Sequence, residues 1–303
     1  MDTIVTIKGL SKRFGSFTAL KNVNLDIKAG EVLGFIGPNG AGKSTTIRIL
    51  LGILKPSSGT AEIFGRNVWT NAVEIHRRLV YVPGDVNLWP NLTGGEIIDL
   101  FMKLQGSGNP VRRDELIRRF ELDPTKKSRT YSKGNRQKVA LIAAFASDAE
   151  LFILDEPTSG LDPLMERVFQ EYVEEVKARG KSILLSSHIL SEVERLCDRV
   201  AIIREGEIIE TGTLDELRHL TRSLFQVETR MPAERLRTFP GVHDLEQTGA
   251  RASFQVDSEQ VGAVLEYLSG LSITKLESTP PTLEDLFMRH YEKQDGEQEA
   301  FHV

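Results

Sequence analysis

Residues 37–44 read Gly37-Pro38-Asn39-Gly40-Ala41-Gly42-Lys43-Ser44: a glycine, four residues, then glycine-lysine-serine. This spacing constrains the fold more than any bulk property of the chain. Glycines let a backbone curl so that several amide N–H groups point inward at one anion. Such a loop works only with a strand leading into it and a helix leaving it, whose positive N-terminal end faces the same anion. Both flanks are present. Glu31 to Ile36 is almost continuously apolar, and Ser44 to Leu54 predicts a helix, with Gly52 the sole breaker before Pro56. In this setting Lys43 supplies a cation for the β- and γ-phosphates of a nucleotide, and Ser44 a hydroxyl for magnesium.

A second apolar run, Leu151 to Leu154, ends in Asp155-Glu156, and a third, Ser182 to Leu185, follows. Between them Val168, Phe169, Tyr172, Val173 and Val176 recur at helical spacing. Buried strands separated by helices predict an α/β sheet wrapped on both faces. Ligands of such sheets bind at the carboxyl ends of strands, where Asp155 and Glu156 fall. Asp155 suits the magnesium shell, and Glu156 suits orienting and deprotonating an attacking water.

Ahead of these runs, Ile4 to Ile7 and Asn24 to Ile27 alternate apolar with polar residues and predict half-exposed strands. Residues 93–145 are expected to be mainly helical. After about residue 222 the pattern changes to short elements. Strands are expected at Leu224–Val227, Val242–Gln247, Ala252–Val256 and Ile273–Leu276, with helices at Ala233–Thr238 and Val261–Leu268. That order is the ferredoxin-like one. Thr282 is expected to cap a last helix with Leu283, Leu286 and Phe287 on its apolar face, and residues 294–303 to form a disordered tail. The expected division is 1–222, 223–293 and 294–303.

A net charge of −5 gives no electrostatic reason to expect nucleic-acid binding. The one cysteine, Cys197, excludes an internal disulfide, and Val193, Leu196 and Val200 around it predict a buried, inert thiol. No apolar run reaches the roughly 20 residues that span a bilayer, and the N-terminus lacks a secretory pattern, so a cytoplasmic protein is expected.

Four further features select among phosphate-loop proteins. Tyr131-Ser132-Lys133-Gly134-Asn135-Arg136-Gln137 resembles the Leu-Ser-Gly-Gly-Gln signature of ATP-binding-cassette (ABC) proteins, with Lys133 in the variable slot. Ser159-Gly160-Leu161-Asp162 falls at the spacing of the family's D-loop, His188 matches its switch histidine, and Phe14-Gly15 its adenine-stacking aromatic. The chain resembles an ABC ATPase subunit over roughly 210 residues.

The resemblance implies an ATPase with an antiparallel β subdomain and a helical subdomain, using ATP and Mg2+. The implied nucleotide contacts are Phe14, residues 37–44, Thr45, and Ser132, Gly134 and Gln137. The implied catalytic groups are Lys43, Glu156 and His188, with Ser44 and Asp155 on the metal. It also implies a head-to-tail dimer with ATP between one copy's phosphate loop and the other's signature. One departure stands out. The family's Q-loop glutamine is missing after Tyr81-Val82-Pro83, where Gly84-Asp85 follow. Pro281-Thr282-Leu283-Glu284-Asp285-Leu286-Phe287 resembles the close of bacterial drug, antibiotic and polysaccharide exporter ATPases. The implied partner is a membrane permease in two copies, contacted through residues 85–130, with the ATPase held peripherally at the inner membrane face. The competing expectation is a soluble ABC ATPase acting on a macromolecular partner.

Overall fold

The computed structural model describes residues 2–106, 109–219, 222–279 and Glu284. Two compact units emerge, Met1–Thr211 and Gly212–Val303. The first opens with two long strands, β1 (Thr3–Phe14) and β2 (Phe17–Lys28), followed by β3 (Val32–Ile36) and helix α1 (Lys43–Leu50). β4 (Ser58–Ile63) and β5 (Arg66–Asn67) complete an antiparallel sheet in the order β2-β1-β4-β5. Alternation along β1 and β2 puts Val5, Ile7, Val23, Leu25 and Ile27 into one core, as a half-buried sheet requires.

Then come α2 (Ala72–His76), β6 (Leu79–Val82), α3 (Gly94–Leu104), α4 (Pro110–Arg119) and α5 (Lys133–Phe145). β7 (Leu151–Asp155), α6 (Pro163–Ala178), β8 (Ser182–Ser186), α7 (Leu190–Leu196), β9 (Arg199–Arg204) and β10 (Glu207–Thr213) follow. The second sheet runs β10-β9-β3-β8-β7-β6, with parallel pairing from β9 through β6. Every residue of β3, β7 and β8 is buried, which is what unbroken apolar runs in a sheet covered on both faces demand. Phe145 of α5 packs 6.2 Å from Phe152 and 5.6 Å from Tyr172, joining helices to strand.

Local chemistry starts these helices. Thr93 and Glu96 form a reciprocal cap on α3, and Asn109 and Asp162 cap α4 and α6 with proline in the first turn of each. Helix α1 stops at Leu50, four residues short of the expected Leu54. Gly52 takes a left-handed φ of +65° and the amides of Ile53 and Leu54 turn back onto the Arg48 carbonyl.

In the second unit α8 (Leu214–His219) leads into β11 (Arg222–Thr229), β12 (Val242–Thr248), β13 (Arg251–Asp257), α9 (Val261–Ser269) and β14 (Ile273–Thr279). The sheet is antiparallel in the order β12-β13-β11-β14. Phe225 faces Phe254 across β11 and β13, and both pack in a core with Val264 and Leu268 of α9. The helix expected at Ala233–Thr238 is instead a short 3-10 turn, Glu234–Thr238. Pro232 and Pro240 leave too little room for an α-helical nucleus. The expected last helix and the tail from residue 294 lie outside the described residues, apart from Glu284.

Candidate functional site

β3 delivers the chain into the loop, and tight packing shapes it. A Cβ on Gly37 would sit 2.1 Å from the Ile203 carbonyl oxygen, and one on Gly42 would meet Leu20 at 2.7 Å. Gly40 and Gly42 adopt φ of +82° and +118°. The Ala41 amide donates to Pro38 O and the Gly206 amide to Ala41 O, which fixes both sides of the curl. Pro38, Asn39 and Gly40 form its exposed or half-buried crest. Lys43, 6% exposed, donates from Nζ to the carbonyls of Gly37 at 2.5 Å and Pro38 at 3.2 Å. Burial lowers its pKa, while Glu156 and Asp155 oppose the shift. Ser44 is exposed and Thr45 half-buried in the first turn of α1.

β3, β8 and β7 are neighbours in the sheet, so their carboxyl ends bring Lys43, His188, Asp155 and Glu156 to one edge. Asp155 is buried, and burial raises its pKa. The Ser186 hydroxyl, Lys43 and Arg48 lower it, and Glu156 adds to the rise. Glu156 carries a φ of +47°, left-handed in a residue with a side chain. Its amide donates to Ser186 O at 2.8 Å, and its carbonyl accepts from the Ser159 amide at 3.1 Å. A backbone held in this region costs about 1–3 kcal/mol and persists only where its surroundings enforce it. The Glu156 carboxylate lies near His188, whose Nδ1 is 3.6 Å from Glu156 Oε2.

Gly84 sits at the same edge. A Cβ there would come 3.1 Å from Asp155 O and 3.3 Å from Glu156 Cβ. The position that departs from the family pattern therefore places the smallest residue against the Asp155 carbonyl and the Cβ of Glu156, while Asp85 is exposed. Spacing alone had flagged the departure but not this contact.

The signature segment packs on the turn that follows Glu156. Ser132 caps α5, its Oγ accepting from the Asn135 amide at 3.2 Å. A Cβ on Gly134 would lie 2.3 Å from Gly160 O, and Lys133 Nζ donates to Ser159 Oγ at 2.6 Å. The turn thus packs on Ser159-Gly160 of its own chain. Gln137 is buried, unlike Ser132 to Arg136. It is 1% exposed and gives its amide to Pro83 O at 3.4 Å, because its helix position faces the core rather than the open first turn. Phe14 is half-exposed at the β1–β2 turn with Lys12 Nζ 5.0 Å from its ring centre. β2 runs from that turn to pack Ala19 and Leu20 against Gly42.

These residues fit a magnesium nucleotide. Asp155 is a buried carboxylate without an ion pair among the described residues, and Ser44 offers an exposed hydroxyl in the first turn of α1. No three His, Cys, Asp or Glu side chains of the described residues form a metal cluster. A few hard oxygens completed by phosphates suit magnesium, which is seldom caged by protein alone. Cys197 is a buried free thiol whose pKa burial pushes up, as expected of an inert one. No helix among the described residues is long and apolar enough to cross a membrane.

Residues 20–159 match the ABC transporter family, and residues 212–291 match the C-terminal domain of ATP-binding proteins like DrrA1-3. The chain is 36% identical over 309 aligned positions to the bacitracin transport ATP-binding protein BcrA of Bacillus licheniformis, covering 95% of this chain and 97% of that one. It is 36% identical to the daunorubicin resistance ATP-binding protein DrrA3 of Streptomyces coeruleorubidus, over 72% of this chain and 70% of the relative. Among solved structures, an ATP-binding subunit of an ABC transporter superposes with a TM-score of 0.67 at 34% identity, covering 72% of this chain and 92% of that one. A dimeric ATP-binding cassette in a post-hydrolysis state with ADP and Pi gives 0.63 at 26%, covering 70% and 99%. The strand-end carboxylates, the curled loop around Lys43 and this full-length likeness place the chain among the ATP-hydrolysing ATP-binding subunits of the ABC transporter family.

Proposed function

We propose that this chain powers export of a substrate through a separate membrane permease, by cleaving ATP between two copies of itself. The observation that carries the reading is the convergence of Lys43, Asp155, Glu156 and His188 on one sheet edge. In this reading one chain supplies two halves of different sites.

In this reading Lys43 and the loop amides bind the β- and γ-phosphates, and Phe14 stacks on adenine. Magnesium, held by Ser44 and Asp155, neutralises charge on the phosphates when bound. Glu156 orients the attacking water and takes its proton, and His188 contacts the γ-phosphate. Ser132 and Gly134 reach the phosphate bound by the second copy through hydroxyl, amide and helix dipole. Gly134→Ala should therefore lower turnover on the order of tenfold or more, because its methyl would displace Gly160 or the first turn of α5. Phosphate-release assays check this, and an unchanged rate would count against a role for the signature turn.

Export is the direction suggested by the names of the bacitracin and daunorubicin relatives. The permease contact is assigned to residues 85–130. A groove of about 110 Å³ lies there, lined by Val86, Leu88, Phe101 and Ala144, with Trp89 half-exposed nearby. Pro83 lines that groove and Gly84 packs on the Asp155 carbonyl and the Glu156 Cβ, so coupling runs through backbone where the family uses a glutamine. The accessory unit is read as a separate domain, with the change between residues 212 and 222, and the ATPase as peripheral at the inner membrane face. Fractionation tests this: the chain should sediment with membranes only when a six-span permease is co-expressed. Ribosome association without a permease would support the soluble alternative.

A further inference from the structure

Glu192 lies on α7, four residues beyond His188, and is 5% exposed. Its Oε2 accepts a 2.7 Å hydrogen bond from Ser187 Oγ, and that oxygen accepts the Ile189 amide at 3.0 Å. The two residues flanking His188 are therefore tied to each other and to α7. Ser187 is itself buried, whereas the His188 side chain is 59% exposed. The residues on both sides of the exposed imidazole are thus anchored through a buried polar pair.

A carboxyl in such a place is costly unless something uses it. No lysine or arginine of the described residues pairs with Glu192, and its Oε1 is buried without a hydrogen-bond partner. Burial pushes its pKa up, and the hydroxyls of Ser187 and Thr158 pull it down. Glu166 adds to the rise and His188 opposes it. An aliphatic side chain of similar size would fill the space without that cost. The carboxyl also sits where two functional segments meet. Thr158 follows Glu156 by two residues after β7, and Ser187 follows β8.

We propose that Glu192 is a positioning residue whose carboxyl, through Ser187, sets the direction in which His188 leaves β8 and so aims the imidazole at Glu156 and the γ-phosphate. The inference rests on reading His188 as the γ-phosphate contact. A positioned group displaced by about 1 Å can lose up to a hundredfold in rate, so the effect belongs in turnover. ATP binding depends on the phosphate loop, which the Glu192 and Ser187 hydrogen bonds do not touch.

The test is a cycle on the purified full chain, with rates measured over a range of magnesium-ATP concentrations up to saturation, using Glu192→Ala, Ser187→Ala, His188→Ala and the double variants. Glu192→Ala and Ser187→Ala should each lower kcat on the order of tenfold with KM for ATP unchanged. Glu192→Gln, which keeps the acceptor for Ser187, should restore most of it. In the His188→Ala background neither should lower kcat further. Losses that multiply in the double variants would overturn the inference while leaving the role of His188 intact, as would a fall in Tm at unchanged kcat. Normal turnover by His188→Ala alone would instead remove the reading on which the inference stands. Should Glu192→Ala fail to fold, Ser187→Ala and Glu192→Gln decide the question.

Discussion

Replacing Glu156 with glutamine should abolish turnover while leaving ATP bound. The amide has the same shape, so the left-handed turn and its hydrogen bonds to Ser186 and Ser159 survive. What disappears is a group able to accept a proton from water. General-base loss alone is worth about 10²–10⁴ in rate. Affinity should hold or rise, because a carboxylate facing a γ-phosphate repels it and the amide does not. At an effective dielectric of about 20, two unit charges 4 Å apart interact by about 4 kcal/mol, so even a screened fraction is measurable. Uncleaved ATP should then hold two copies together, seen as a dimer in size-exclusion chromatography with magnesium-ATP. Hydrolysis at the normal rate would remove Glu156 from the base role.

Lys43→Ala should fail at the earlier step. Nζ is held by two loop carbonyls, at 2.5 and 3.2 Å, at the point where phosphate oxygens would gather. A charge-assisted hydrogen bond contributes about 1.5–3 kcal/mol, which is about tenfold to a hundredfold in affinity. Removing the lysine also leaves Asp155 and Glu156 with less opposing charge, which disfavours an incoming anion further. Alanine is a good first-turn residue, so thermal unfolding should change little. Titration with a fluorescent ATP analogue checks this, and unchanged affinity would contradict the phosphate-loop assignment.

What could be read from residues alone follows physical locality. The loop, its strand and its helix were legible because their chemistry sits in one contiguous segment. β7 and β8 were legible because burial on both faces leaves an unbroken apolar run. In the second unit the four strands and α9 showed through their alternation, but Glu234–Thr238 did not, since five residues carry too little periodicity to separate a 3-10 turn from a helix. Three features needed the three-dimensional arrangement. Gln137 lies in the signature segment but on the inward face of α5, a matter of helix phase that motif spacing ignores. Gly84 touches Asp155 and Glu156 only because β6 and β7 are paired. Glu192 reads as an ordinary helical glutamate until its burial against Ser187 is seen.

The central claim is that each working site takes its phosphate loop from one copy and its signature turn from another. Mixing purified Lys43→Ala with Gly134→Ala tests it directly. The first variant keeps an intact signature turn and the second an intact loop, so a mixed dimer contains one complete site. Random pairing makes half the dimers mixed with one good site each, so turnover should rise to roughly a quarter of the wild-type rate. A mixture no more active than its two components measured separately would contradict the composite site.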